Sequence, residues 1–139
     1  MSVVFFTDRD LGLKFPEILI AGGLTVERHV DHFAPDCPDS EWLATVAAKN
    51  WVAVTHDQRI RYKPNELAAV IEHKAALLVV VGTAPFSELA KAFVATSPKI
   101  LAFVAAHQRP FIAKVYRPSP AALKQNPATT GHVELWYPS

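Results

Sequence analysis

Short apolar runs separated by amphipathic stretches set the plan of the chain. Val3-Val-Phe-Phe6 is an apolar run ended by Thr7-Asp8 and predicts a first strand. Asp10 to Ile20 places Leu11, Phe15, Ile18 and Leu19 at helical spacing, with Pro16 inside the pattern as a point of kinking or late initiation and Gly22-Gly23 as a stop. Leu24 to Val30 alternates and predicts an edge-like second strand, followed by a loop from His32 to Pro38. Asp39 is placed to cap a helix running to Lys49 with Trp42, Leu43 and Val46 on one face. Trp51 to Thr55 predicts the third strand, and Glu66 to His73 a helix introduced by Pro64-Asn65.

Leu77 to Val81 is continuously apolar, as in a central parallel strand covered on both faces. Ser87 is placed to cap a long helix, interrupted at Pro98, that reaches His107. Phe111 to Tyr116 alternates and predicts a fifth strand. From Pro118 the chain is rich in Pro, Thr and Ala and reads as a tail, with Val133 to Tyr137 able to dock as an extra strand. The expected fold class is α/β: a mostly parallel central sheet of about five strands with helices on both faces.

Composition narrows the class of protein. At 139 residues, half of them hydrophobic and 19% charged, the chain is a single globular domain. The longest apolar run, Ala75 to Val81, is too short to span a bilayer, so no membrane is expected as a partner. The start of the chain lacks a basic region followed by a cleavage site, and a single cysteine, Cys37, excludes an internal disulfide framework. Both fit a cytoplasmic location. Net charge is +1, but residues 1–57 hold nine acids against four Lys and Arg, while residues 58–139 hold ten Lys and Arg against four acids. An acidic half suited to cations thus adjoins a basic half suited to a polyanion.

The candidate chemistry lies where strands end. Asp8 and Asp10 follow the first strand, Asp39 and Glu41 begin the helix before the third, and Asp57 follows the third. In an open α/β sheet ligands gather beyond the carboxyl ends of the strands. Carboxylates converging there suit a pair of hard cations and phosphodiester hydrolysis. Taken singly, Asp39 reads first as a helix cap, Glu41 as an acid favoured in a first turn, and Asp8 and Asp57 as turn residues after strands; three separate segments aimed at one edge strengthen the case for a site. Arg59, Arg61 and Lys63 come directly after Asp57 and would suit backbone phosphates, as would Lys14 from the first helix. Thr55 would fix the Asp57 turn by a hydroxyl hydrogen bond.

His29, His32, Cys37 and His56 match no compact zinc spacing, and no third group orients a Cys–His nucleophile pair. Trp42 and Trp51 suit core packing rather than base stacking. A receiver-like arrangement, with Asp57 as phospho-acceptor beside Asp8, Asp10, Thr83 and Lys114, leaves Asp39 and Glu41 without a role and puts Lys114 in mid-strand.

Three segments together resemble a PIN-like nuclease domain: Phe5-Phe-Thr-Asp8-Arg-Asp10-Leu11, Pro38-Asp39-Ser-Glu41-Trp-Leu43 and Trp51-Val-Ala-Val-Thr55-His-Asp57. The resemblance is nearest to the PIN-like subgroup related to VapC-type toxins of toxin–antitoxin pairs. It extends over Arg59 to Arg61 and Pro64 to Leu67, and as far as Tyr116. It implies a three-layer PIN-like domain over residues 1–117, with 118–139 outside it. It further implies a metal-dependent endoribonuclease using Mg²⁺ or Mn²⁺, with RNA as substrate, a cognate antitoxin as partner, and dimerisation as a common habit. By this resemblance Asp8, Asp39 and Asp57 take the metal-binding roles, and Glu41 and Asp10 are candidates for a fourth acid. Such domains often carry a further acid soon after the Thr-x-Asp aspartate; here Arg59 and Arg61 stand there instead. A catalytically weak PIN-like interaction module is the alternative.

Overall fold

A computed structural model describes residues 3–138. Six strands form one sheet in the order β2-β1-β3-β4-β5-β6: β1 (Val4–Thr7), β2 (Thr25–Arg28), β3 (Val52–Thr55), β4 (Ala76–Val81), β5 (Phe111–Tyr116) and β6 (His132–Tyr137). The first five pair in parallel, and β6 runs antiparallel to β5. The sheet is therefore mostly parallel, as the alternation of apolar runs and amphipathic segments implies. Its sixth strand comes from the segment after Pro118.

The two faces of the sheet bury two separate cores, because side chains alternate along each strand. Phe5, Val52, Val54, Leu78 and Ala113 point one way and pack against α1 (Lys14–Ala21) and α4 (Phe86–Ala106). Phe6, Ala53, Leu77, Val79 and Ile112 point the other way, against α2 (Asp39–Ala48) and α3 (Pro64–His73). Strands buried on both faces read as unbroken apolar runs, and β4 is the plainest case. On the second face Phe6 stacks on Trp51 and packs against Trp42, with ring centroids 6.2 and 5.3 Å away. Both tryptophans are packing residues.

Local chemistry moves several boundaries. Residues Arg9–Leu11 form a 3-10 turn capped by the Asp8 carboxylate, and Gly12 at φ 71 ends it, so α1 starts at Lys14 instead of Asp10. Pro16 thereby falls in the first turn, where its missing N–H breaks no helical bond. Helix α2 starts on Asp39 with Pro38 in the capping position, and α4 starts on Phe86 after Pro85. Neither Asp39 nor Ser87 acts as the cap its position suggested.

By length and composition α4 is apolar enough to cross a membrane; here Leu89, Ala90, Phe93 and Ile100 are buried in the domain. Pro98 lies inside it and cannot donate to the Val94 carbonyl. The Ser97 hydroxyl donates to that carbonyl instead, at 2.7 Å. Serine to alanine at an ordinary helical position gains about 0.5 kcal/mol of propensity. Ser97→Ala should reverse that sign, losing about 0.5 kcal/mol net once a hydrogen bond of about 1 kcal/mol is removed. Urea unfolding of the variant checks it, and a gain in stability would refute this role for Ser97.

Candidate active site

In this strand order the chain leaves β1 for β2 on one side and returns to β3 on the other. The crevice between the carboxyl ends of β1 and β3 is the topological switch point, the place where such sheets bind ligands. Asp8, Asp10, Thr55 and Asp57 all sit there.

Thr55 is the hub. It is fully buried, the last residue of β3, and its Oγ1 lies 2.9 Å from Asp8 Oδ2 and 3.0 Å from Asp10 Oδ2. The same oxygen accepts from the Asp57 backbone N–H at 3.2 Å. One hydroxyl thus gauges the spacing of two carboxylates and fixes the turn that presents a third. Asp8 is held on its other side by the Arg9 N–H, at 2.7 Å from Oδ1, and Asp10 by the His56 N–H, at 3.1 and 3.2 Å from its two oxygens. The His56 ring donates onward to the Gly82 carbonyl at 2.8 Å, bracing the turn after β3 against the end of β4.

The electrostatics follow from crowding. Burial, and then the neighbouring Asp10 charge, push the Asp8 carboxyl up to about 7, against hydrogen bonds from Thr55 and Arg9 that favour the ionised form; Asp39 adds to the rise. Asp10 is raised too, chiefly by burial, with the His56 and Thr55 bonds opposing. Asp57 behaves differently. Burial alone would raise it, but the Lys63 ammonium on Oδ2 and the Arg59 N–H on Oδ1 outweigh that and bring it below its ordinary range.

The remaining acids are less engaged. Asp39 is close enough to bear on Asp8 electrostatically, yet its Oδ1 accepts from the Trp42 indole N–H at 2.9 Å. Glu41 is exposed, with its carboxylate 3.6 Å from the Cys37 sulfur. Among the described residues no three Asp, Glu, His or Cys side chains gather closely enough to hold a metal ion. The Asp8 and Asp10 carboxylates, both hydrogen-bonded to Thr55 Oγ1, have the chemistry to share one. Mg²⁺ is commonly held by one or two carboxylates while it keeps several waters, and a cation there would offset the burial and the Asp10 charge that raise Asp8.

The basic residues divide among different tasks. Lys63 is paired with Asp57, Arg59 is exposed beside it, and Arg61 lies among aromatic rings. Lys14 opens α1 and lines a separate hollow with Leu11, Leu13 and Phe86. Lys114, central to the receiver-like alternative, has its Nζ over the Trp136 ring at 4.2 Å, while Asp57 takes its cation from Lys63.

Arg9 and His29 form a wall of the site, a role that the sequence pattern assigns to neither. Arg9 Nε donates to His29 Nδ1 at 2.8 Å and Nη2 to the Phe33 carbonyl at 2.9 Å. Burial and the Arg9 charge depress the His29 pKa, so the ring stays neutral and accepts at Nδ1. The position of Arg9 between the two acids was a visible signal. His29 offered none, because only the pairing of β2 with β1 brings it there. Together with Asp8, Leu13 and Arg28 they line a cleft of about 230 Å³.

A family model described as a PIN-like domain matches residues 3–82, spanning β1 to the end of β4 and all of the acids above. The chain belongs to the PIN-like domain family. No curated protein and no solved structure gave a significant match.

Proposed function

We propose that the protein is a metal-dependent endoribonuclease, acting as the toxin of a toxin–antitoxin pair. The observation that carries the nuclease reading is the Asp8–Thr55–Asp10 arrangement at the β1/β3 switch point of a PIN-like domain. Asp8 and Asp10 would hold Mg²⁺ or Mn²⁺, with Asp39 and Asp57 contributing charge around it. When bound, the cation supplies Lewis acidity toward a phosphoryl oxygen and activates water for attack. The chain's own part is positional. Thr55 fixes the distance between the two carboxylates, His56 and Arg9 orient them through backbone N–H groups, and Lys63 keeps Asp57 ionised. Arg59, exposed beside Asp57, would take a backbone phosphate.

The same site supports a second reading. Asp57 is already neutralised by Lys63 and Asp39 is turned toward Trp42, which fits a PIN-like module that binds its partner and cleaves weakly. An antitoxin would serve as that partner in either case, covering the acidic edge.

Incubation of mixed cellular RNA with the protein in Mg²⁺, Mn²⁺ or EDTA separates the two. The nuclease reading expects cleavage in either metal, none in EDTA, and none with Asp57→Asn, a nearly isosteric change. Full activity of that variant would refute the assignment of Asp57. Binding of RNA by the folded protein without cleavage in any metal would favour the weaker module.

A further inference from the structure

Beyond the acids, the turn that starts at Asp57 leads to a group of aromatic rings and cations for which the active site has no use. A 3-10 turn over Ile60–Tyr62 is tied to Asp57 at both ends, by the Arg59 and Ile60 N–H groups and by the Lys63 ammonium. Its outer residue, Tyr62, is 67% exposed, so its ring is accessible. The Tyr62 ring stands edge-on to Trp136 of β6, with centroids 5.7 Å apart. The Arg61 guanidinium lies 5.7 Å from the Tyr62 ring and 5.8 Å from both Trp136 and Tyr137, and Lys114 Nζ lies 4.2 Å from Trp136. Glu134, opposite Lys114 in the register, is the acidic neighbour in that row.

The register sets how far this group is from the acids. Thr55 pairs with Val79, Val79 with Lys114 and Lys114 with Glu134, so the hub and the Lys114–Glu134 pair share one row across the sheet, and Trp136 stands two residues along β6 from that row. Three strand spacings put Glu134 roughly 14 Å from the hub, and two residues along the strand put Trp136 a few ångströms farther, at roughly 16 Å. Trp136 and Tyr137 come from the C-terminal segment, outside the matched residues 3–82.

We propose that Tyr62, Trp136 and Arg61 form a stacking platform for single-stranded RNA, holding unpaired bases a short way along the strand from the bond at Asp8 and Asp10. The inference rests on the nuclease reading for the identity of its ligand. Tyr62 is exposed and Trp136 half-buried beside it. Accessible rings next to cations are what sequence-tolerant binding of single strands uses: a base has a π-face to stack, and a neighbouring phosphate meets a cation. A duplex keeps its bases stacked inside and offers the rings nothing. The platform therefore makes the protein selective for unpaired strands.

The test is binding of a fluorophore-labelled, mixed-sequence, unstructured RNA oligonucleotide to the full chain in EDTA, where cleavage does not intervene. The expected result is that Tyr62→Ala weakens binding about tenfold, the effect of one lost stacked base, while Tyr62→Phe binds as the wild type does. Annealing the RNA to its complement should weaken wild-type binding and abolish the difference between variants. Trp136→Phe, which keeps a ring in place, should retain most of the affinity and lose the tryptophan quenching that RNA produces. Equal affinity of Tyr62→Ala and wild type would overturn the platform, as would equal binding of single strand and duplex. Those outcomes leave the nuclease reading standing if metal-dependent cleavage is seen. Intact, Tyr62-dependent binding without cleavage would overturn the nuclease instead.

Discussion

Asp8→Asn should leave the protein more stable in its metal-free form at pH 8, by about 2–4 kcal/mol, while abolishing cleavage. The gain comes from the crowding around that carboxyl. Its folded pKa is about 7 against an ordinary value of 3.8. Between those values the folded state holds a proton that the unfolded state has released, so the contribution of Asp8 to stability falls as pH rises from about 4 to 7 and is flat above; the depressed His29 adds a slope of opposite sign near its ordinary value, which wild type and variant share. A tenfold change in an acidity constant between the folded and unfolded chain corresponds to about 1.4 kcal/mol, and the partial exposure of the group argues for less than the full product. The raised Asp10 adds a smaller slope of the same sign, which the variant keeps. Asp57, whose pKa is lowered, acts below its ordinary value and so outside this window.

Urea titrations at pH 5 and pH 8 would show the stability of the wild type falling relative to that of the variant between the two. A second comparison addresses the cation. Mn²⁺ should raise the melting temperature of the wild type, since a ligand bound only by the folded state stabilises it, and should do so far less for Asp8→Asn. A variant that is destabilised at pH 8, or that keeps the full response to Mn²⁺, would refute the account of Asp8.

Thr55→Val should be nearly as damaging to the fold as Asp8→Asn is to the reaction. Valine has the same shape, so the change removes a hydroxyl without leaving a cavity. Asp8 and Asp10 lose their shared donor, and the half-buried Asp57 N–H loses its acceptor beside a residue that is itself fully buried. Unsatisfied groups of this kind cost about 1–3 kcal/mol each, and about 2–3 kcal/mol in total is expected here. Thr55→Ser keeps the hydroxyl and should lose about 1 kcal/mol through its missing methyl. Thermal unfolding of the two variants side by side is the measurement. Equal losses from serine and valine would mean that the site is held by packing and that the hydroxyl is incidental.

How much of this was legible depended on how locally it is encoded. The runs of β3 and β4 declare buried parallel strands by composition alone, and the acids at the ends of β1 and β3 follow from the strands. Helix α5 (Pro120–Gln125) lies in the segment read as a tail, although Ser119-Pro120 is a cap and first-turn signal. Its Ser119 hydroxyl accepts from the Ala122 N–H at 3.1 Å. The Pro- and Ala-rich composition around it concealed that signal. Other features have no local signature. Lys63 reads as a phosphate ligand until the turn over Ile60–Tyr62 folds it back onto Asp57. Asp39 reads as a cap or a metal ligand until Trp42, one helical turn on, claims its oxygen. Tyr62 and Trp136 are separated by most of the second half of the chain, and only the pairing of β6 with β5 makes them neighbours.

That pairing also covers an edge of the sheet. Gly131 approaches so closely that a Cβ there would lie 1.7 Å from the Tyr116 carbonyl oxygen; its N–H bonds Thr96 at 3.0 Å and its carbonyl accepts from Lys99 at 2.9 Å. The segment leading into β6 is thereby pinned onto α4 and β5 rather than laid loosely beside them. Until it arrives, β5 shows an unpaired edge of Phe, Ile, Ala and Val, the kind that recruits strands from neighbouring molecules. Once β6 is in place, the outermost strand carries His132, Glu134 and a following Pro138, which discourage further pairing. The sixth strand thus exchanges an apolar edge at β5 for a polar one.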